Sequence, residues 1–198
     1  MNAYLAFLAL LALERGVELA LSRRHASWAL ARGGVEVGRR HFAVMKLVHV
    51  AFFAACAAEV LLLDRPLVPL LAAPMLVLAL AAQGLRWWAI AALGPHWNVR
   101  VIVVPGTPAV TAGPYRWLRH PNYLAVVVEG FAVPLVHSAW WTALGFTLAN
   151  AALLAVRIRC EERALAQHCD YGARLGALHR FLPGRAAAQP QRAAIEVR

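Results

Sequence analysis

A stretch near the middle of the chain concentrates the residue types that can bind a polar ligand. Residues 113–123 read Gly-Pro-Tyr-Arg-Trp-Leu-Arg-His-Pro-Asn-Tyr, within a sequence of 198 residues that is 61% hydrophobic. Gly113-Pro114 is a turn signal, and Pro121 disfavours α geometry at His120 while suiting the first turn of a new helix. A helix that begins at Pro121 exposes free N–H groups and a partial positive charge, which favour anionic groups. The stretch therefore predicts a polar pocket where an apolar helix meets water.

The same aromatic and basic residues are also typical of membrane-interface anchors. Two features favour a site instead: the order Gly-Pro-Tyr followed by Arg-His-Pro-x-Tyr, and an acidic pair downstream, Glu161 and Glu162. Because Arg157 lies four residues before Glu161, a surface ion pair is one explanation of these acids. The other is that the acidic patch folds back under the 113–123 loop and binds a cationic ligand.

Five further ionisable residues fall inside apolar segments, namely Glu14, Glu18, Glu59, Arg86 and Glu129. Charges at that depth cost about 2.5 kcal/mol or more, and they usually face a partner or a cavity. Glu129 comes two turns into the helix predicted from Pro121, so it is a candidate for the same pocket. Structural pairing, such as Glu14 or Glu18 with Arg86, is the equally open alternative.

Other common site types are not indicated by the sequence. The histidines other than His120 lack ligand spacing and the three cysteines form no Cys-x-x-Cys, so no metal site is expected. Because no Gly-x-Gly-x-x-Gly or Walker loop occurs, a nucleotide cofactor would have to bind in another way. The net charge of +10 is nearly all arginine placed between apolar segments, which indicates a membrane protein rather than a nucleic-acid partner.

The composition predicts an all-α, polytopic integral membrane protein. We expect about five transmembrane helices, with the last two forming a hairpin across His137-Ser138, and a cytosolic amphipathic helix over 157–176. The apolar segments are 3–22, 42–63, 67–93, 122–136 and 139–156.

The distribution of arginine predicts the orientation. The 23–40 loop, the 94–121 loop and the tail from Arg157 are basic, so the positive-inside rule places all three in the cytosol. We therefore expect the candidate site at the cytosolic face, and the arginine-, alanine- and glycine-rich composition favours a bacterial cytoplasmic membrane. The chain divides into N-terminal membrane helices, a functional region and a loose polar tail, with the boundaries 1–92, 93–184 and 185–198.

A series of short motifs between residues 93 and 183 then carries a resemblance. The motifs are, in order, Leu93-Gly94, Trp97-Asn98, 110–115, 117–123, Arg157-Ile158, Glu161-Glu162, Tyr171-Gly172 and 180–183. Their order and spacing resemble the isoprenylcysteine carboxyl methyltransferases, with their bacterial relatives and the phospholipid methyltransferases. The first two apolar segments match that family only in hydropathy.

The resemblance implies a membrane-embedded methyltransferase that uses S-adenosylmethionine in a pocket formed by the loop, the hairpin and the C-terminal helix. It implies that Arg157 and Arg180 lie near the acceptor. Residues 107–109 depart from the family pattern, which leaves the contacts to adenine open. The cofactor-binding residues implied by position are Val110, Thr111, Gly113, Tyr115, Leu118, His120, Pro121, Tyr123, Glu161 and Glu162.

The resemblance also implies a lipophilic acceptor that enters from the bilayer, among membrane lipids and without nucleic acid. A carboxyl of an isoprenylcysteine-like molecule needs only orientation, whereas a hydroxyl of a long-chain polyketide or lipid also needs a base, for which Glu129 and His120 are candidates. Two other classes remain open. One is a sterol-type reductase using NADPH, although residues 124–126 lack the Gly-Asp or Gly-Glu of that class. The other is a small transporter using the buried acids.

Overall fold

The computed structural model describes residues 2–184, so the predicted tail 185–198 lies outside the described residues. Helices follow one another along the chain, joined by short connections and by one longer loop between residues 93 and 121. The helices are α1 (Asn2–Leu30), α2 (Arg39–Leu62), α3 (Pro69–Leu93), α4 (Pro121–Leu135), α5 (Trp140–His168) and α6 (Tyr171–Leu175). Two short strands, β1 (Val35–Val37) and β2 (Val101–Val103), pair antiparallel.

Three of the described helices are long and apolar enough to cross a membrane, and they make the chain an integral membrane protein. These candidate spans are Phe42–Leu62, Pro69–His96 and Trp140–His168. Helix α1 is as long as α5 but carries three charged residues near its middle, Glu14, Arg15 and Glu18. Helix α4 is apolar but has only 15 residues, fewer than the roughly 20 needed to span a bilayer.

The architecture differs from the sequence prediction in two places. The segment predicted as a separate C-terminal helix, 157–176, instead continues α5 without a break to His168, and only α6 is separate. The prediction also missed the sheet, in which Val35 pairs with Val103 and Val37 with Val101. This pairing fastens the connection between α1 and α2 to the long loop that carries the central motif.

The predicted hairpin of α4 and α5 is present and closely packed. A Cβ built on Gly130 of α4 would overlap the ring of Phe146 on α5, so this approach depends on the absence of a side chain at residue 130. Glu59 of α2 accepts hydrogen bonds at the start of α5, from the N–H and the hydroxyl of Thr142, both at 2.7 Å, and from the N–H of Trp141 at 3.1 Å. A carboxylate is favourable there because the first N–H groups of a helix have no intrahelical partner.

Candidate active site

A cavity of about 570 Å³ lies between the long loop, α5 and the N-terminal helices. Part of its wall is polar and comes from the central motif and from the last turns of α5 and α6. Another part is apolar and comes from α1, α2 and the middle of α5, with Leu19, Met45, Phe53 and Leu153 among its residues. The cavity therefore has room for a polar ligand next to an apolar one.

The start of α4 forms as the local sequence predicts. Pro121 occupies the first turn, and His120 precedes the helix with φ −131° and ψ 58°, outside the α region. The C-terminal segment then folds back along this loop. The N–H of Arg119 donates to the carbonyl of His179 at 3.0 Å, and the N–H of His120 donates to the carbonyl of Arg180 at 3.1 Å. Residues far apart in sequence are thereby held beside the 113–123 stretch.

Glu162 binds three basic side chains at this junction. Arg180 donates to both of its carboxylate oxygens, at 3.0 and 2.6 Å. The Nε2 of His120 lies 3.0 Å from Oε1 of Glu162, and Nη1 of Arg119 lies 3.4 Å from the same oxygen. These three basic side chains balance the negative charge of Glu162. Through them, Glu162 links α5 to the central motif and to the C-terminal segment. We call this group of four residues the Glu162 clamp.

Glu161, one residue earlier, belongs to the cavity wall and to a different network. It accepts a hydrogen bond from the hydroxyl of Tyr123. The same hydroxyl accepts from Nε of Arg157 at 2.8 Å, and Nη2 of Arg157 donates to the carbonyl of Val99 at 2.5 Å. Arg157 is only 4% exposed and also lines the cavity. The helical neighbours Arg157 and Glu161 are thus connected through Tyr123, inside the protein rather than on its surface.

Six of the predicted site residues line the cavity: Val110, Tyr115, His120, Tyr123, Arg157 and Glu161. Leu118 and Pro121 are buried, and Thr111 is exposed. Gly113, with φ +56°, presses against α3, where an added Cβ would lie 2.8 Å from the Cβ of Ala92. These four positions shape the loop instead of forming the wall of the cavity.

Two of the predicted catalytic residues are engaged elsewhere. Arg180 forms part of the Glu162 clamp, and its side chain is 45% exposed. Glu129 is bound by Nε of Arg86 at 3.1 Å, and Arg15 approaches it to 3.7 Å. Arg86 also lies 3.6 Å from Glu18, so structural pairing accounts for these charges. The alternative of paired intramembrane charges is the one observed for Glu129.

Sequence reasoning missed several polar residues of the wall. The hydroxyl of Tyr171 lies 3.4 Å from Nε2 of His120, and Asn122 and Trp97 also line the cavity. Burial raises the pKa of both the Tyr171 and the Tyr115 phenol above the ordinary value, so both remain neutral donors. Tyr171 follows α5 by three residues, and only the fold-back of the C-terminal segment brings it to His120.

The fold defines an integral membrane protein with one cavity whose wall is partly polar and partly apolar. Residues 75–167 match the model of the isoprenylcysteine carboxyl methyltransferase (ICMT) family. Uncharacterized protein YpbQ of Bacillus subtilis (strain 168) is 37% identical over 162 residues, covering 81% of this chain and 95% of that protein. The chain belongs to the ICMT family, and this membership implies that it is a membrane methyltransferase.

Two further similarities agree with that assignment. An uncharacterized protein of Haemophilus influenzae is 28% identical over 154 residues, covering 76% of this chain and 88% of that protein. The structure of the eukaryotic intramembrane Ras methyltransferase ICMT superposes with a TM-score of 0.52 at 22% identity, over 71% of this chain. Since this chain covers 52% of that structure, the likeness shows a shared fold over about half of the larger protein.

Proposed function

We propose that the protein transfers a methyl group from S-adenosylmethionine to a carboxyl or hydroxyl oxygen of a lipophilic acceptor at the cytosolic membrane face. One observation carries this proposal. A single cavity joins the polar wall around His120 and Glu161 to the apolar wall formed by α1, α2 and α5, with Arg157 lining it as well.

The residues of the polar wall fit this cofactor. S-adenosylmethionine has a sulfonium, an ammonium and a carboxylate, so it needs an acid and several donors together. Because Glu162 is already bound by the three basic side chains of the clamp, Glu161 is the carboxylate left to bind the ammonium or the ribose hydroxyls of the cofactor. Donors come from the neutral phenols of Tyr115 and Tyr171. Trp97 Nε1 is buried, belongs to a residue of the wall, and has no hydrogen-bond partner among the described residues.

Bound in this wall, the cofactor supplies an electrophilic methyl group on sulfur. The chain contributes position and a dry environment, and holding two reactants in line is worth about 7 kcal/mol or more in favourable cases. Arg157 has Nε and Nη2 fixed by Tyr123 and Val99. Its Nη1 makes no hydrogen bond to the described residues, so it is suited to orient an acceptor oxygen.

The nature of the acceptor decides whether a base is needed. A carboxylate is already an anion, so orientation by Arg157 suffices. A hydroxyl must lose its proton, and His120 is the candidate to receive it at Nδ1, since its Nε2 is bound to Glu162 and Glu129 is paired with Arg86. We therefore favour a carboxyl acceptor, and a phenol-type hydroxyl on a long-chain lipid is the second possibility.

The cytosolic orientation rests on charge. The cavity loop carries Arg100, Arg116 and Arg119, and the polar end of α5 carries Arg159 and Arg163. The connection between α3 and α4 and the end of α5 lie at the same side of the helices as the connection between α1 and α2, which is also basic. An excess of arginine in such connections indicates the cytosolic side.

Calorimetry on the purified protein in detergent tests the cofactor. We expect S-adenosylmethionine and its demethylated product S-adenosylhomocysteine to bind, and NADPH not to bind. Radiolabelled S-adenosylmethionine should then transfer its methyl group to material extracted with organic solvent. Binding of NADPH in place of S-adenosylmethionine would refute the proposal, and so would a failure of both nucleosides to bind to folded protein.

A further inference from the structure

One face of α5 lines the cavity over most of the length of the helix. The residues of this face are Asn150, Leu153, Leu154, Arg157, Glu161 and Leu165, at helical spacing. Asn150 lies seven residues before Arg157, so the two are separated by about 10 Å along the axis of the helix. Asn150 is therefore a polar residue deep within the apolar part of the cavity, far from the cofactor-binding wall.

The amide of Asn150 is buried without a full set of partners. Its residue is only 2% exposed, and its Oδ1 has no hydrogen-bond partner among the described residues. An unpaired amide in a low-dielectric environment is costly, so such a group calls for an explanation. By contrast, Asn98 in the same cavity uses its amide fully, since Nδ2 donates to the Ser22 carbonyl and Oδ1 accepts from the Ser22 hydroxyl.

A second unused acceptor lies in the same part of the cavity. His49 of α2 lines the cavity, and its ring packs edge-on against Phe146, one turn before Asn150 on α5. The Nδ1 of His49 lies 2.8 Å from the carbonyl of Met45. Because a carbonyl only accepts, Nδ1 carries the hydrogen, and Nε2 of the neutral ring is left as an acceptor.

Two charged residues of this part of the wall are already paired. Glu18 and Arg86 line the cavity, but Glu18 binds Arg15 at 2.9 Å and Arg86 binds Glu129 at 3.1 Å. Oδ1 of Asn150 and Nε2 of His49 are neutral acceptors for an O–H or N–H group, whereas Lys46 of the same wall can only donate.

We propose that Asn150 and His49 form a subsite for a hydroxyl group on the chain of the acceptor, remote from the oxygen that is methylated. The hydroxyl donates its one hydrogen to Oδ1 of Asn150 or to Nε2 of His49. The inference rests on the proposed function for the position of the reacting oxygen at Arg157. A separation of about 10 Å corresponds to roughly eight carbon–carbon bonds of an extended chain. The acceptor is accordingly a long-chain lipid that is hydroxylated near its middle, rather than a plain hydrocarbon chain.

The subsite is tested by the binding of four fatty acids. These are hexadecanoic acid and its analogues hydroxylated at the second, the ninth or the last carbon. The probes are titrated into the purified protein saturated with S-adenosylhomocysteine, so no methyl transfer is needed. We expect the mid-chain alcohol to bind about three- to tenfold more tightly than the other acids, which is the usual gain from one hydrogen bond. In Asn150→Leu this preference should disappear.

Two further variants make the result specific. His49→Phe keeps the edge-on contact with Phe146 and should also reduce the preference, whereas Leu153→Val changes only the apolar wall and should weaken all four acids alike. Absence of a positional preference in the wild type, or the same preference in Asn150→Leu, overturns the subsite. A gain in thermal stability of Asn150→Leu with unchanged preference would mean that an ordered water alone satisfies the amide, which also overturns it. Failure of the nucleoside to bind is a separate outcome, which refutes the proposed function.

Discussion

Glu161 and Glu162 are adjacent carboxylates that should respond to the same substitution in different ways. Glu161→Gln removes a charge from the cavity wall, where we place the cofactor. The loss of one charge-assisted hydrogen bond costs about 1.5–3 kcal/mol, so the affinity for S-adenosylmethionine should fall about 10- to 100-fold. Because the introduced amide keeps an oxygen that can accept from Tyr123, the thermal stability of the unliganded protein should change little.

Glu162→Gln acts on the clamp instead. Arg180 and Arg119 are partly exposed, so each ion pair with Glu162 is worth less than a fully buried one. His120 is only 3% exposed at its side chain, and its bond to Glu162 at 3.0 Å is shielded from water. Together we expect a loss of about 1–3 kcal/mol in the free energy of unfolding. The affinity for S-adenosylmethionine should fall only to the extent that the 113–123 loop becomes more mobile.

Both variants are measured by calorimetry with S-adenosylmethionine and by thermal unfolding of the unliganded protein. The two measurements separate a loss of cofactor affinity from a loss of stability. Arg180→Gln is the matched control for the clamp, since it removes one exposed partner of Glu162 without altering the cavity wall, and it should lose less stability than Glu162→Gln at unchanged cofactor affinity. The reasoning is refuted if Glu162→Gln loses affinity as strongly as Glu161→Gln at unchanged stability. It is equally refuted if Glu161→Gln binds the nucleoside as the wild type does.

Three smaller predictions concern the surroundings of the cavity. Tyr123→Phe removes the acceptor that holds Nε of Arg157, so kcat should fall about tenfold or more, beyond any loss of cofactor affinity caused by the missing bond to Glu161, measured with labelled cofactor. Glu59→Ala leaves the start of α5 without its acceptor, and it should cost about 1–3 kcal/mol in thermal unfolding. The N–H of Ala109 holds the pKa of Asp170 below its ordinary range. The stabilising contribution of Asp170 is therefore present above about pH 4 and is lost as the pH falls further, so wild type and Asp170→Asn should differ at neutral pH and converge in acid.

The start of α4 could be predicted from the sequence because its cause is local. Pro121 restricts the backbone of His120 and fixes where the helix begins, whatever the rest of the chain does. The convergence of His120 with the acidic pair is a hypothesis from motif order, and the structure brings these side chains to within 3.0 Å for His120 and Glu162. What local sequence could not assign is which of the two acids turns to the cavity, since that depends on partners contributed by three separate segments.

The remaining differences have equally specific causes. The continuity of α5 was predictable, because no Gly or Pro occurs between Gly145 and Gly172, and the change from apolar to polar composition does not end a helix. The partner of Arg86 was not predictable from spacing alone: the sequence suggested Glu14 or Glu18, whereas the hydrogen-bonded partner in the structure is Glu129. The β1–β2 pairing was missed because three-residue strands give too short a pattern to distinguish from loop.

The continuity of α5 has a consequence for how the two ligands are aligned. Three polar residues of the cavity wall belong to this one helix. They are Glu161, which we assign to the cofactor, Arg157, which we assign to the acceptor oxygen, and Asn150 in the apolar part of the wall. Their separations are set by the rise of about 1.5 Å per residue and do not depend on how neighbouring helices shift in the bilayer. The N-terminal helices supply most of the apolar wall and, on α2, His49.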